Sequence, residues 1–153
     1  MKTLIVLRHS KAAQVPGLAD RERPLTDRGE NDAKRAGDEI RAQGLTPDTI
    51  LCSPAKRTRQ TAELAFPGEE ITYERDIYEA YTEELLALLQ RQDGETIVLC
   101  GHNPAVAELV LTLTRGSDTH MRPGAFAVIE TDSWVDLWPG EGRLVSRWDP
   151  KEH

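Results

Sequence analysis

Three apolar runs in this chain end on groups that can do chemistry. Leu4 to Leu7 stops at Arg8-His9, in the segment LRHSKA; Ile50-Leu51-Cys52 leads into Ser53-Pro54 and then Arg57; Ile97 to Cys100 leads into Gly101-His102. Arginine offers a planar fork of donors matched to phosphate oxygens. A neutral histidine is a nucleophile, and a protonated one is a charged donor. Phosphoryl transfer asks for little beyond positioning and cationic stabilisation of the equatorial oxygens. No HxxxH or DxD ligand set accompanies these residues, and Cys52 and Cys100 belong to no CxxC or Cys/His cluster with zinc spacing. One Arg-His pair alone reads equally well as a strand reaching solvent. The group of four predicts metal-free phosphoryl transfer through a phosphohistidine, with no metal and no cofactor.

For these side chains to meet, their strands must lie side by side and end at one edge. In an open α/β sheet, ligands gather beyond the carboxyl ends of the strands. TLIVL, residues 49–52 and residues 96–100 read as fully buried strands. A helix is expected from Thr26, as N-cap, to about Gln43, with Ala33, Ala36, Ile40 and Ala42 inward and Gly44 ending it. Ser53 as N-cap with Pro54 at the first helical position opens a second helix, which ends near Pro67. A short strand at 71–73, a loop over 76–81, an amphipathic helix capped by Thr82, and a helix from GHNP to about Leu113 follow. Residues 125–131 and 144–148 read as two late strands, paired with each other. The alternation predicts one α/β domain over residues 1–153: a three-layer α/β/α sandwich with a mostly parallel central sheet.

Composition narrows the function classes. The chain has 153 residues, 39% hydrophobic and 29% charged, enough for one globular core. A formal net charge of −7 argues against nucleic acid as a partner. No apolar stretch is long enough to span a membrane, and the start of the chain lacks the pattern of a secretory signal. With two cysteines read as buried free thiols, a cytoplasmic monomer is expected.

LRHSKA resembles the Arg-His signature of the histidine phosphatase superfamily, also called phosphoglycerate-mutase-like. SPAKRTRQTA is similar to its second arginine motif and GHNP to its second histidine motif, in the family's order. The short length, RPLT at 23–26 and the Ile77-Tyr78-Glu79-Ala80 segment resemble the SixA-type phosphohistidine phosphatase branch, and the likeness runs from Lys2 to about Glu130. The resemblance implies that His9 is the nucleophile. Arg8, Arg57 and a cationic His102 would surround the phosphate, and Glu79 would be the general acid. Arg59 does not match the family's arginine position. Ser10 stands where the superfamily usually has glycine and adds a hydroxyl near the phosphate. Arg23 has two readings, a third arginine on the phosphate or an anchor of its loop through Asp20 or Glu22. Asn103 is expected to hold the turn beside the substrate, where the amides of a helix N-terminus favour an anion. His120 reads as a solvated loop residue, and the three tryptophans as core or edge packing.

About 45 residues separate Arg57 from His102, which leaves little chain for a lid. An open pocket suits a phosphorylated side chain on a protein surface, and the SixA likeness points the same way. The partner expected is therefore a phosphorylated protein. A small phosphoester is the alternative substrate, and a catalytically inactive phosphate-binding module of the same fold is the alternative outside enzymology.

Overall fold

In the computed structural model, which describes residues 1–116 and 120–152, a six-stranded sheet runs in the order β3-β2-β4-β1-β5-β6. The strands are β1 (Lys2–Arg8), β2 (Thr49–Cys52), β3 (Thr72–Tyr73), β4 (Thr96–Gly101), β5 (Phe126–Thr131) and β6 (Arg143–Trp148). The first four are mutually parallel where they pair, and β5 runs antiparallel to both β1 and β6. The helices are α1 (Asp27–Ala42), α2 (Lys56–Ala65), α3 (Thr82–Gln90) and α4 (Ala105–Thr114). The loop expected at 115–125 falls partly outside the described residues, at 117–119, as does His153.

Alternation along the strands divides the core into two layers. Leu4 and Val6 of β1, with Leu51, Ile97 and Leu99, face α3 and α4 through Leu85, Leu89, Val106 and Leu109. Ile5 and Leu7, with Ile50, Cys52, Val98 and Cys100, face α1 and α2 through Ala36, Ile40, Ala62 and Phe66. Because helices cover both faces, the central strands carry unbroken apolar runs. Register then fixes where the runs end. Leu7 pairs with Cys100 and Cys100 with Cys52, so Arg8, Gly101 and Ser53 follow along one edge.

Element ends differ from the sequence reading in three places. The Thr26 hydroxyl accepts from Gly29 N–H at 3.0 Å, as expected of an N-cap, but α1 stops at Ala42, whose side chain is exposed instead of inward. Ala55, not Ser53, precedes the first turn of α2. The Ser53 hydroxyl lies 2.8 Å from Nε2 of the half-buried His102 at the sheet edge. Thr82 is the first residue of α3 and not its cap; the Glu84 carboxylate accepts from Tyr81 N–H at 2.9 Å. Trp134 and Trp148 are buried, whereas Trp138 is exposed.

The loop after β1 is held to the start of α1. Ala12 bridges Leu25, Ala13 N–H donates to Pro24 O at 2.8 Å, and Thr26 N–H donates to Lys11 O at 2.9 Å. Gly29 lets α1 approach this closely, since a Cβ there would collide with the Lys11 carbonyl. The backbone carrying Ser10 and Lys11 is thereby fixed against a helix.

Candidate active site

His9 follows the last residue of β1, and its backbone N–H extends the ladder to Gly101 O at 3.0 Å. Its Nδ1 lies 2.7 Å from Ser10 O. A carbonyl only accepts, so Nδ1 carries the proton and Nε2 keeps its lone pair. Burial is the main cause that pushes His9 from 6.5 down to about 3, with the positive surroundings of His102, Arg8 and Arg57 adding to it. At neutral pH the ring is uncharged and nucleophilic at one defined nitrogen.

Around it the strand ends deliver the other groups. The His102 ring lies 5.3 Å from that of His9, centroid to centroid. Arg8 is tethered by Nη1 to Met121 O at 2.8 Å. Arg57, almost fully buried on the first turn of α2, donates Nη1 to Asp20 O at 2.8 Å and Nη2 to Asp20 Oδ2 at 3.1 Å. Its remaining N–H groups are not used by those two bonds. Ser10 N–H donates to Thr61 Oγ1 at 3.0 Å, and Asn103 Nδ2 donates to Met121 O at 3.0 Å. Met121 O thus ties Arg8 and Asn103 to one point.

The resemblance implied a cationic His102 beside bound phosphate. By itself the ring is neutral at pH 7, since burial, then the charges of Arg57 and Arg8, lower it from 6.5 to about 4. Its Nε2 lies 2.8 Å from the Ser53 hydroxyl, which also accepts from Ala55 N–H at 3.3 Å. Its Nδ1 is buried without a partner. Ser53 is a site residue that the sequence disguised as a helix cap.

Arg23 takes the anchoring arrangement of its two readings. Nε donates to Ala13 O at 3.0 Å and Nη1 to Asp20 Oδ1 at 3.1 Å. Asp20, in a short 3-10 turn (Asp20–Glu22), also accepts from the Tyr78 hydroxyl at 2.7 Å. That hydroxyl bond, with Arg23 and Arg57 beside it, holds the Asp20 carboxyl at about 2 despite some burial. The Tyr78 ring stands edge-on to His102 at 5.6 Å. Glu79 is exposed and lines a cleft of about 350 Å³ with Arg21, Pro54, Arg75, Asp76 and Tyr78. Neither Asp20 nor Tyr78 stood out in the sequence; RPLT and the segment before α3 pointed only to their neighbourhoods.

Buried polar atoms without partners are uncommon, and each one asks for an explanation. Among the described residues they are Arg8 Nε, Ser10 Oγ, Arg59 Nε, His102 Nδ1 and Asn103 Oδ1. Four of these belong to the residues gathered at the strand ends. Their clustering singles out the strand ends as the candidate site. No group of three or more His, Cys, Asp or Glu among the described residues is arranged to hold a metal ion, and no helix among them is long and apolar enough to cross a membrane.

A family model for the histidine phosphatase superfamily, branch 1, matches residues 4–85. The chain belongs to the histidine phosphatase superfamily. A candidate phosphohistidine phosphatase SixA from Nakamurella multipartitia superposes with a TM-score of 0.88 at 29% identity, covering 97% of this chain and 96% of that one. Another, from Agrobacterium tumefaciens, gives 0.85 at 28% identity, covering 97% and 98%. Phosphoglycerate mutase from Thermus thermophilus gives 0.67 at 19% identity, covering 96% and 98%, a likeness of fold alone. The fold is therefore phosphoglycerate-mutase-like, and within the superfamily this histidine phosphatase resembles the SixA type. The likeness supports a phosphatase.

Proposed function

We propose that the protein removes phosphate from phosphohistidine on another protein, through a covalent phosphohistidine at His9. The observation that carries this reading is the Nδ1–Ser10 O bond, which fixes the tautomer and leaves His9 Nε2 as the only nucleophilic nitrogen of the ring. Arg57, Arg8 and His102 converge on it and supply the donors that the phosphoryl oxygens require. In the first step His9 Nε2 attacks phosphorus and the P–N bond of the substrate breaks, its electron pair leaving with the nitrogen of the substrate imidazole. In the second, water attacks the phosphoryl group, a proton of that water passes to phosphate, and His9 leaves with the electron pair, its other proton still on Nδ1 and donated to Ser10 O. Neither step routes through a metal or cofactor. The SixA likeness supplies the substrate class, and the open cleft beside Tyr78 leaves room for a protein surface.

The test incubates the protein, with chelator present, with a phosphohistidine-bearing protein and separately with an aryl phosphate, alongside His9→Ala. Loss of the phosphohistidine mark that depends on His9 is the expected result. Turnover of the aryl phosphate alone would keep the mechanism and move the substrate to small phosphoesters. Equal activity in His9→Ala would end the covalent reading.

A further inference from the structure

The general acid expected of this chemistry has no obvious holder. Glu79 is exposed, and the carboxylate drawn into the mouth of the pocket is Asp20. Three donors converge on it: Arg57 and Tyr78 on Oδ2 and Arg23 on Oδ1. An ionised carboxylate has about four lone-pair sites. One is therefore free, on Oδ1, and the Asp20 side chain is 54% exposed, so a ligand can reach it. Held by two guanidinium groups, Asp20 accepts hydrogen bonds and does not supply protons.

We propose that Asp20 accepts the free ring N–H of the substrate's phosphorylated imidazole, and so fits this site to nitrogen-linked phosphate. The proposal rests on the phosphohistidine reading and names the residue that enforces it. An alkoxide leaving group must gain a proton as it departs. A phosphoimidazole protonated on its distal nitrogen needs none. When His9 Nε2 bonds to phosphorus and the P–N bond of the substrate breaks, the electron pair goes to the departing nitrogen. The imidazole then leaves neutral, its distal proton still bound and donated to Asp20. His9 itself is treated the same way, since its Nδ1 keeps its proton and donates it to Ser10 O throughout. The site thus holds two imidazoles across one phosphorus, each with its far N–H on an oxygen acceptor.

Asp20 lies beside two of the groups that would surround the phosphate. Arg57 bridges it to the phosphate site, and Tyr78, hydrogen-bonded to it, packs against His102. A fixed negative charge there also disfavours small phosphoesters with anionic tails.

The probes are phosphoimidazole and p-nitrophenyl phosphate, whose phenolate leaves without help from an acid. Asp20→Asn should lose at least tenfold more kcat/KM on phosphoimidazole than on the aryl phosphate. Equal losses on both would overturn the proposal and reduce Asp20 to a positioning residue for Arg57; no loss on either would overturn it too. A wild-type protein that cleaves the aryl phosphate and ignores phosphoimidazole would sink the phosphohistidine reading itself, and this proposal with it.

Discussion

Acidification should unfold this protein by way of its own active site. His9 is neutral in the fold, at about 3, and titrates at 6.5 without it; His102 is lowered to about 4. Near pH 5 both rings are therefore uncharged when folded and charged when unfolded, so unfolding takes up close to two protons. Each linked proton changes stability by roughly 1.4 kcal/mol per pH unit. Depressed folded values mean that this stability is whole above 6.5 and is lost as pH falls toward the folded values. Carried down to its folded value, His9 alone accounts for roughly 5 kcal/mol, against on the order of 5–15 kcal/mol for a whole domain. Urea denaturation at several pH values between about 6.5 and about 4.5 measures the slope. His9→Gln removes one titrating group, and its slope should be shallower by roughly 1 kcal/mol per pH unit. The absolute stability of the variant does not matter to this comparison. Equal slopes would show that His9 is charged or solvated in the fold, and the neutral nucleophile would be lost with it.

Further expectations follow from single contacts. Ser53→Ala leaves His102 Nε2 without its 2.8 Å partner; at about 1–3 kcal/mol for an unmet buried group, kcat/KM on an aryl phosphate should fall about 5- to 150-fold with the circular dichroism spectrum unchanged. Gly29→Ala drives a methyl into the Lys11 carbonyl, and a cost of about 1–3 kcal/mol should appear as a lower thermal midpoint together with weaker activity, because Ser10 moves with Lys11. Glu79→Gln should change kcat/KM on phosphoimidazole by less than about threefold, as an imidazole that leaves neutral draws on no acid; a larger loss would return the acid role to Glu79.

The sheet was legible because its central strands are covered on both sides. Full burial writes each strand as an unbroken apolar run, and the point where the run stops is the point where the sheet edge meets the ligand. Arg8-His9, Arg57 and His102 could be placed together on that ground alone. Ser53 was misread for a local reason. Serine before proline at a helix start is a strong capping pattern, and nothing nearby in sequence shows that a histidine 49 positions later competes for the hydroxyl. Asp20 was legible only as a neighbour of Arg23. What brings it to Arg57 is the path of the loop, set by the Ala12–Leu25 bridge and by Lys11 O on Thr26, and loop paths depend on tertiary contacts that local patterns do not encode.

The charge on His102 shows where motif and site part company. A motif says that a histidine stands beside a phosphate, and so invites a cation. The pocket already carries Arg8 and Arg57, and a third positive group taken out of water among them is unfavourable. Burial and those charges keep the ring neutral, with Nδ1 unpartnered and ready to bind. A phosphate dianion inverts the balance, since it is an opposite charge within contact distance and raises the proton affinity of the ring facing it. On the proposed function, the donor role implied by resemblance and the neutral ring found in the fold are two states of one residue, separated by the arrival of phosphate.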